Sequence, residues 1–530
     1  MTWKSIALQA SLLASSFASP STPLESQESD RISWSACEIE LPGIQCANFS
    51  VPLDYTDLDS EATLNLQLLR VPAVAEQKKG SILFNFGGPG FPSRFTLAAL
   101  ASRFLALTGG EYDLVAHDPR GTGTTLTASC FNTTVERQLA VGIPMQVVPS
   151  TDDELALGRL FGQTQVVANS CNSFPGFAES GSLIGTAFGA RDLMQIVDAI
   201  EDDGLLRFWG ISYGTALGAT VAAMFPDRID RILIDAVLNP HEYFNSYEIE
   251  LWADADRTFF NMLIECLRTP DLCALGSRRT KAVDLEKDIY NLIDDLREEP
   301  VVSGTTLIDS STVITFIRFA LYDTASFPGL AAGLEALLSG NPTEFADIYN
   351  DFVNSGRILT ITADDSPFAI TCGDKDLPEQ TFAEMQPVFK ALEKESRLLG
   401  SNGHILASIC QNWDIQAKER YTGNFEATTR HPMLIVGNTF DSATSLQSAV
   451  NVSASFEGSV VLEHGGFGHG STIHGSACTI NAIRDYFTNG TLPKPGTVCE
   501  VNYPPFQQDM TIDNVLINLG YLPEPEEQEA

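Results

Sequence analysis

The stretch from Phe208 to Asp235, FWGISYGTALGATVAAMFPDRIDRILID, constrains this chain more than any other. It reads as a strand end, a tight turn, a helix and a second buried strand. Ser212 stands at the turn, inside Gly210-Ile211-Ser212-Tyr213-Gly214, which is the G-x-S-x-G pattern of a nucleophile elbow. A sharp strand-to-helix turn forces the serine into strained backbone angles. Its neighbours must be small if the helix is to fold back on the strand. The helix, rich in Ala and Gly from Thr215 to Ala223, should stop near Phe225-Pro226, because the residue before a proline disfavours helix. Ile229 to Ile234 then reads as the next strand.

Other stretches repeat this grammar. Residues 62–71 alternate apolar and polar side chains, as a half-buried strand does. The strand 81–86 runs into Gly87-Gly88-Pro89-Gly90, and Tyr112 to His117 runs into Asp118-Pro119-Arg120-Gly121-Thr122-Gly123. Residues 186–200 have helical spacing and lead into the elbow strand. Strand-then-turn patterns return at 432–445 and 459–471. Strands alternating with helices predict an α/β fold, a mostly parallel sheet with helices on both faces. Between them, 241–424 is helical in character, for example over 252–267, 281–296 and 378–397, and reads as a cap inserted into the core. The expected organisation is a signal at 1–18, core at 19–240, helical cap at 241–424, core again at 425–510 and an acidic tail at 511–530.

The first 18 residues carry Lys4, an apolar run from Ile6 to Phe17 and small residues around Ala18, as a secretory signal does. No later apolar run is long enough to span a bilayer. Ten cysteines, with no C-x-x-C pair, suit an oxidising compartment. Pairing of sequence neighbours is expected (37–46, 130–171, 266–273, 372–410, 478–499), though spacing alone does not fix connectivity. Sequons at Asn48, Asn132, Asn451 and Asn489 are candidate glycosylation sites that agree with secretion. A net charge of −36 argues against nucleic acid and anionic membranes as partners, keeps the chain soluble and favours an amine-bearing substrate.

A serine at an elbow needs a base to take its proton and an acid to orient that base. In this fold class the acid and then the base follow the serine, on loops after later strands. Asp441 directly follows the apolar strand beginning at Met433, although a plain turn aspartate is the competing reading. Three histidines lie beyond it. His469, among glycines just past the strand 459–462, is the expected base. His464, nearer the strand end, is the competitor, and His474 is expected at the surface or a helix start. Their five-residue spacing matches no zinc pattern, so neither metal nor cofactor is expected. An oxyanion needs two backbone N–H donors. Tyr213 should supply one. Gly88 should supply the other, with Gly87 or Gly90 as alternatives and Pro89 excluded for want of an N–H.

Several motifs carry a family resemblance: GGPG at 87–90, DPRGTG at 118–123, GISYGT at 210–215, FPDR at 225–228 with Ile234-Asp235, and AITCGD at 369–374. Cys410 to Trp413 and Gly468-His469-Gly470 through Cys478 extend it. The chain resembles secreted α/β-hydrolases of the tripeptidyl aminopeptidase and prolyl aminopeptidase group of serine exopeptidases, over roughly residues 35–505. The resemblance implies a Ser212–Asp441–His469 triad, a covalent acyl-enzyme and a peptide substrate with a free N-terminus. Such a substrate calls for a carboxylate in the cap, and Glu242, Glu248, Glu250, Asp254 and Asp256 are candidates. Three departures stand out: Phe91-Pro92-Ser93 where the family has Gly-Ser after GGPG, Thr444-Ser445 where it has Thr-Pro, and Ile211 in the elbow. The first bears on the acyl pocket, so an ester, lactone or amide of a small metabolite is the alternative substrate. A binding protein without activity is the second alternative.

Overall fold

The computed structural model describes residues 32–37, 43–142, 149–356, 365–507 and 510–524. The expected signal at 1–18 and the end of the acidic tail, 525–530, lie outside the described residues.

Twelve strands occur among the described residues: β1 (Ser35–Ala36), β2 (Gln45–Pro52), β3 (Thr63–Val71), β4 (Ser81–Asn85), β5 (Asp113–His117), β6 (Leu206–Ile211), β7 (Ile229–Asp235), β8 (Val301–Ser303), β9 (Thr306–Ile308), β10 (Leu434–Phe440), β11 (Val460–Phe467) and β12 (Val498–Cys499). All but β8 and β9 form one sheet in the order β1-β2-β3-β5-β4-β6-β7-β10-β11-β12. The first three strands pair antiparallel, and everything from β5 to β12 is parallel. This is the α/β-hydrolase architecture that the sequence pattern predicts.

Alternation along the central strands explains why the sheet is covered twice. Leu83, Phe208, Ile232, Ile234 and Ile435 point into one apolar core. Ile82, Phe84, Trp209, Leu233, Leu434 and Val436 point into another. Successive side chains of a strand face opposite ways, so strands apolar on both faces need helices on both. The first core is continuous with the apolar interior of the cap, through residues such as Phe259, Met262 and Leu334. The cap therefore shares one apolar interior with the core on one side of the sheet.

The helical layer draws on more of the chain than 241–424. The helix Glu154–Ser173 lies between β5 and β6 in sequence, yet it packs on the helix Gly403–Ile409. Thr151 donates to Glu393, Asn172 to the Asn412 carbonyl, and Arg137 pairs with Asp365. The cap also carries a β8–β9 hairpin. At the other end, the stretch expected as an acidic tail opens with the helix Ile512–Asn518, whose Ile512, Val515 and Leu516 are buried against the second core. The five disulfides join 37–46, 130–171, 266–273, 372–410 and 478–499.

Candidate active site

β6 ends at Ile211 and the helix Tyr213–Met224 begins two residues later, with Ser212 between them at φ 59° and ψ −127°. A non-glycine residue there is strained by roughly 1–3 kcal/mol and persists only when its surroundings fix it. Here the Ser212 N–H donates to the Asp235 carbonyl at 3.1 Å, and the Ser212 carbonyl accepts from the Thr215 N–H and hydroxyl at 2.8 and 2.6 Å. The two motif glycines are required by contact. A Cβ on Gly210 would collide with the Gly214 carbonyl, and one on Gly214 with the Asn85 carbonyl at the end of β4.

The GGPG loop lies directly against the elbow. A Cβ on Gly87 would sit 2.7 Å from Ser212 Cβ and 2.6 Å from the Ile211 carbonyl. The Gly87 N–H is engaged, donating to Asn85 Oδ1 at 3.0 Å. Gly88 is exposed, and its N–H makes no hydrogen bond among the described residues. Tyr213 N–H, in the first turn of its helix, has no intrahelical partner. The Tyr213 ring points into the protein, where its hydroxyl meets Thr186 Oγ1 at 2.6 Å. Asp374, the end of the AITCGD motif, accepts from the Thr186 N–H at 2.8 Å and from Tyr243 Oη at 2.9 Å. That motif thus docks a cap helix onto the elbow.

Asp441 follows β10 and is fully buried. Its Oδ1 accepts from the N–H groups of Ala443 and Thr444 at 2.8 and 3.0 Å, and its Oδ2 from Thr444 Oγ1 at 2.7 Å. His469 Nδ1 lies 3.0 Å from Oδ2 and 3.2 Å from Oδ1. This geometry puts the ring proton on Nδ1 and leaves Nε2 with the lone pair. Burial alone would pull the imidazolium pKa of His469 down. The Asp441 carboxylate, and Asp235 beyond it, outweigh burial and raise it above its ordinary 6.5. The side chain keeps 13% exposure. The loop is held from several sides. His469 N–H donates to the Tyr322 carbonyl of the cap at 2.9 Å, and the two rings lie 4.8 Å apart. Asn438 Nδ2 donates to the carbonyls of Gly468 and Gly470 at 2.8 and 2.9 Å. Ser471 and Ser212 both bond to Asp235, and a Cβ on Gly470 would lie 3.9 Å from Ile211 Cγ2. Elbow and histidine loop therefore meet at the end of β7.

The competing histidines have other partners. β11 extends to Phe467, so His464 lies inside the strand, fully buried, with Nδ1 2.9 Å from Thr479 Oγ1. Burial pushes its pKa down to about 3. His474 is not at the surface, as expected, but buried. Its Nδ1 accepts from the Phe467 N–H, its Nε2 donates to the Tyr503 carbonyl at 2.7 Å, and burial lowers its pKa to about 4.

The five cap carboxylates separate by their partners. Asp256 accepts from Ser396 Oγ and the N–H groups of Arg397 and Leu398. Glu250 accepts from Asn239 and Asn451. Asp254 accepts from the Leu446 N–H and pairs with Arg257, and Glu248 pairs with buried Lys375. Glu242 accepts the Glu250 N–H alone, and burial raises its pKa. Of the sequon asparagines, Asn48, Asn132 and Asn489 are exposed, whereas Asn451 is half-buried and donates to Glu250 at 2.6 Å.

A parallel sheet with a strained serine at one strand end, and an aspartate–histidine pair at another, defines an α/β hydrolase of the serine type. Residues 398–499 match the family model described as TAP-like protein, a region that includes Asp441 and His469. The chain is 25% identical over 494 residues to serine protease Hip1 of Mycobacterium tuberculosis, covering 88% of this chain and 91% of that protein. It is 25% identical over 500 residues to a tripeptidyl aminopeptidase of Streptomyces lividans, covering 89% and 87%. A carboxylesterase B of Mycobacterium tuberculosis is 27% identical over 493 residues, covering 88% and 89%. Among solved structures, a serine hydrolase from Cycloclasticus zankles aligns over 83% of this chain and 98% of its own, at 11% identity and a TM-score of 0.32. The chain is a serine hydrolase, similar to the tripeptidyl aminopeptidase group that its motifs resemble.

Proposed function

We propose that this chain is a secreted serine peptidase that removes short peptides or amino acids from free N-termini through an acyl-enzyme. The observation that carries the reading is the short contact between His469 Nδ1 and the buried Asp441 carboxylate, on a loop tied to the strained Ser212 turn. His469 Nε2 takes the Ser212 proton as the hydroxyl attacks the scissile carbonyl. Asp441 holds the tautomer and stabilises the imidazolium. The N–H groups of Gly88 and Tyr213 stabilise the oxyanion; Gly87 is a poor second choice because its N–H already serves Asn85. The imidazolium then protonates the leaving amine, and water, activated by the same ring, releases the acyl group. A carboxylate near the elbow must meet the substrate ammonium, and Glu242 suits this because its one hydrogen bond comes from a backbone N–H, whereas Glu248 is already paired with Lys375. The signal-like residues 1–18 and five disulfides support secretion. Among the described residues no helix is long and apolar enough to cross a membrane.

The similarity to a carboxylesterase, at the same coverage as to the peptidases, keeps ester hydrolysis as the second reading. One preparation assayed on free and N-acetylated tripeptidyl amides and on an aryl ester separates the two. The peptidase reading expects the free peptide amide to be cleaved far faster than its acetylated form. Equal rates on both peptides, or turnover of the ester alone, would reject it.

A further inference from the structure

Asp235 is the last residue of β7 and lies beside Ile211 in the register of the sheet. Its carbonyl accepts the Ser212 N–H at 3.1 Å. Its carboxylate accepts the Ser471 N–H at 3.0 and 3.2 Å and the Ser471 hydroxyl at 2.6 Å. Ser471 is two residues beyond His469. Tyr322 and Asn438 also hold the histidine loop, but their hydrogen bonds do not reach the elbow. Asp235 alone of these three grips both.

The charge on Asp235 calls for an explanation of its own. The side chain is fully buried, and its hydrogen-bond donors are a backbone amide and a hydroxyl. Burial pushes its carboxyl up to about 6. Burying a carboxylate is costly, and an uncharged side chain of similar volume could fill the space. The groups that face His469 are Asp441 from the loop after β10, Asp235 from β7 and Tyr322 from the cap. Those that Asp235 feels in return are Asp441, His469 and Ser471.

We propose, resting on the triad reading above, that Asp235 is a positioning residue for catalysis. One end of it fixes the nucleophile turn and the other fixes the base loop, so it sets the separation of Ser212 from His469. Its negative charge is the second to face the ring and supports the imidazolium formed as the serine loses its proton.

The test is kinetic. Asp235→Asn keeps the volume and the backbone bond to Ser212 but removes the charge. On a free tripeptidyl p-nitroanilide, kcat should fall about 10–100-fold with KM within about twofold, as expected for a small misplacement of reacting groups. Without that charge the imidazolium is less favoured, so the acid limb of kcat/KM should move to lower pH by about half a unit or more. Ser471→Ala keeps the charge and should lower kcat by a smaller factor with the acid limb in place. Wild-type kcat and acid limb in Asp235→Asn would overturn the proposal, as would a fall in kcat that follows a lowered Tm with the limb unmoved. If Asp235→Asn does not fold, an unchanged kcat in Ser471→Ala overturns it. Ser212→Ala is the control. Activity in that variant refutes the triad reading, whereas an inactive Ser212→Ala beside a normal Asp235→Asn refutes this inference alone.

Discussion

Arg120 and Asp192 bury charge in one way, and Asp441, Asp235 and His469 bury it in another. The Arg120 guanidinium donates twice to Asp192, at 2.8 and 2.9 Å, and also to the carbonyls of Leu53 and Pro52. Tyr55 Oη donates to the same aspartate at 2.7 Å. One cation meets one anion, and the DPRGTG motif is explained as a staple. At the rim two buried carboxylates face a single imidazole. A proton on the ring offsets one of the two negative charges, so the arrangement favours the imidazolium, as the proposed role of His469 as general base requires. The staple has its cation in the resting protein, whereas in the proposed mechanism the rim gains one only when His469 takes the serine proton.

The contrast breaks most sharply at Asp441. Asp441→Asn should lower kcat by roughly 10⁴-fold, because the amide favours the wrong tautomer of His469, while the unfolding midpoint changes little. A loss of tenfold or less would mean that another group orients the ring. Arg120 should behave in the opposite sense. Arg120→Met leaves Asp192 buried without its cation and should cost about 3–5 kcal/mol in urea unfolding, with KM of the folded fraction unchanged. A variant as stable as wild type would remove the staple reading. The smallest effect is a displacement of the pH profile. As the proposed base, His469 must be neutral to act, and its pKa is raised, so kcat/KM should fall on acidification with a midpoint above 6.5. His464→Gln should leave that midpoint in place, since His464 is already neutral there. A midpoint below 6.5 would mean that burial outweighs the two carboxylates.

Much of this was legible in the sequence because local chemistry dictates it. The elbow announces itself through Gly210 and Gly214, and the order of strand-then-turn stretches leads to Asp441 and His469. The sequence ranks Gly88 ahead of Gly87, but the reason to set Gly87 aside lies only in the fold. It depends on the Asn85 side chain folding back onto Gly87. The sequence shows Asp235 only as the residue after the strand 229–234 and as part of a family motif, since its partner Ser471 is 236 residues away. Two further signals lie in the sequence. Leu157, Leu160, Phe161, Thr164, Val167, Ala168 and Cys171 recur at helical spacing, which marks the helix that the cap borrows from before the elbow. Ile512, Val515 and Leu516 do the same just ahead of the acidic C-terminus.

The central claim is that Ser212 is made nucleophilic by His469. Mass analysis of the protein after treatment with a fluorophosphonate tests it most directly. The account predicts a single adduct on Ser212 at pH 8, and a labelling rate in His469→Gln reduced by orders of magnitude. Labelling of another serine, or equal rates with and without His469, would contradict it.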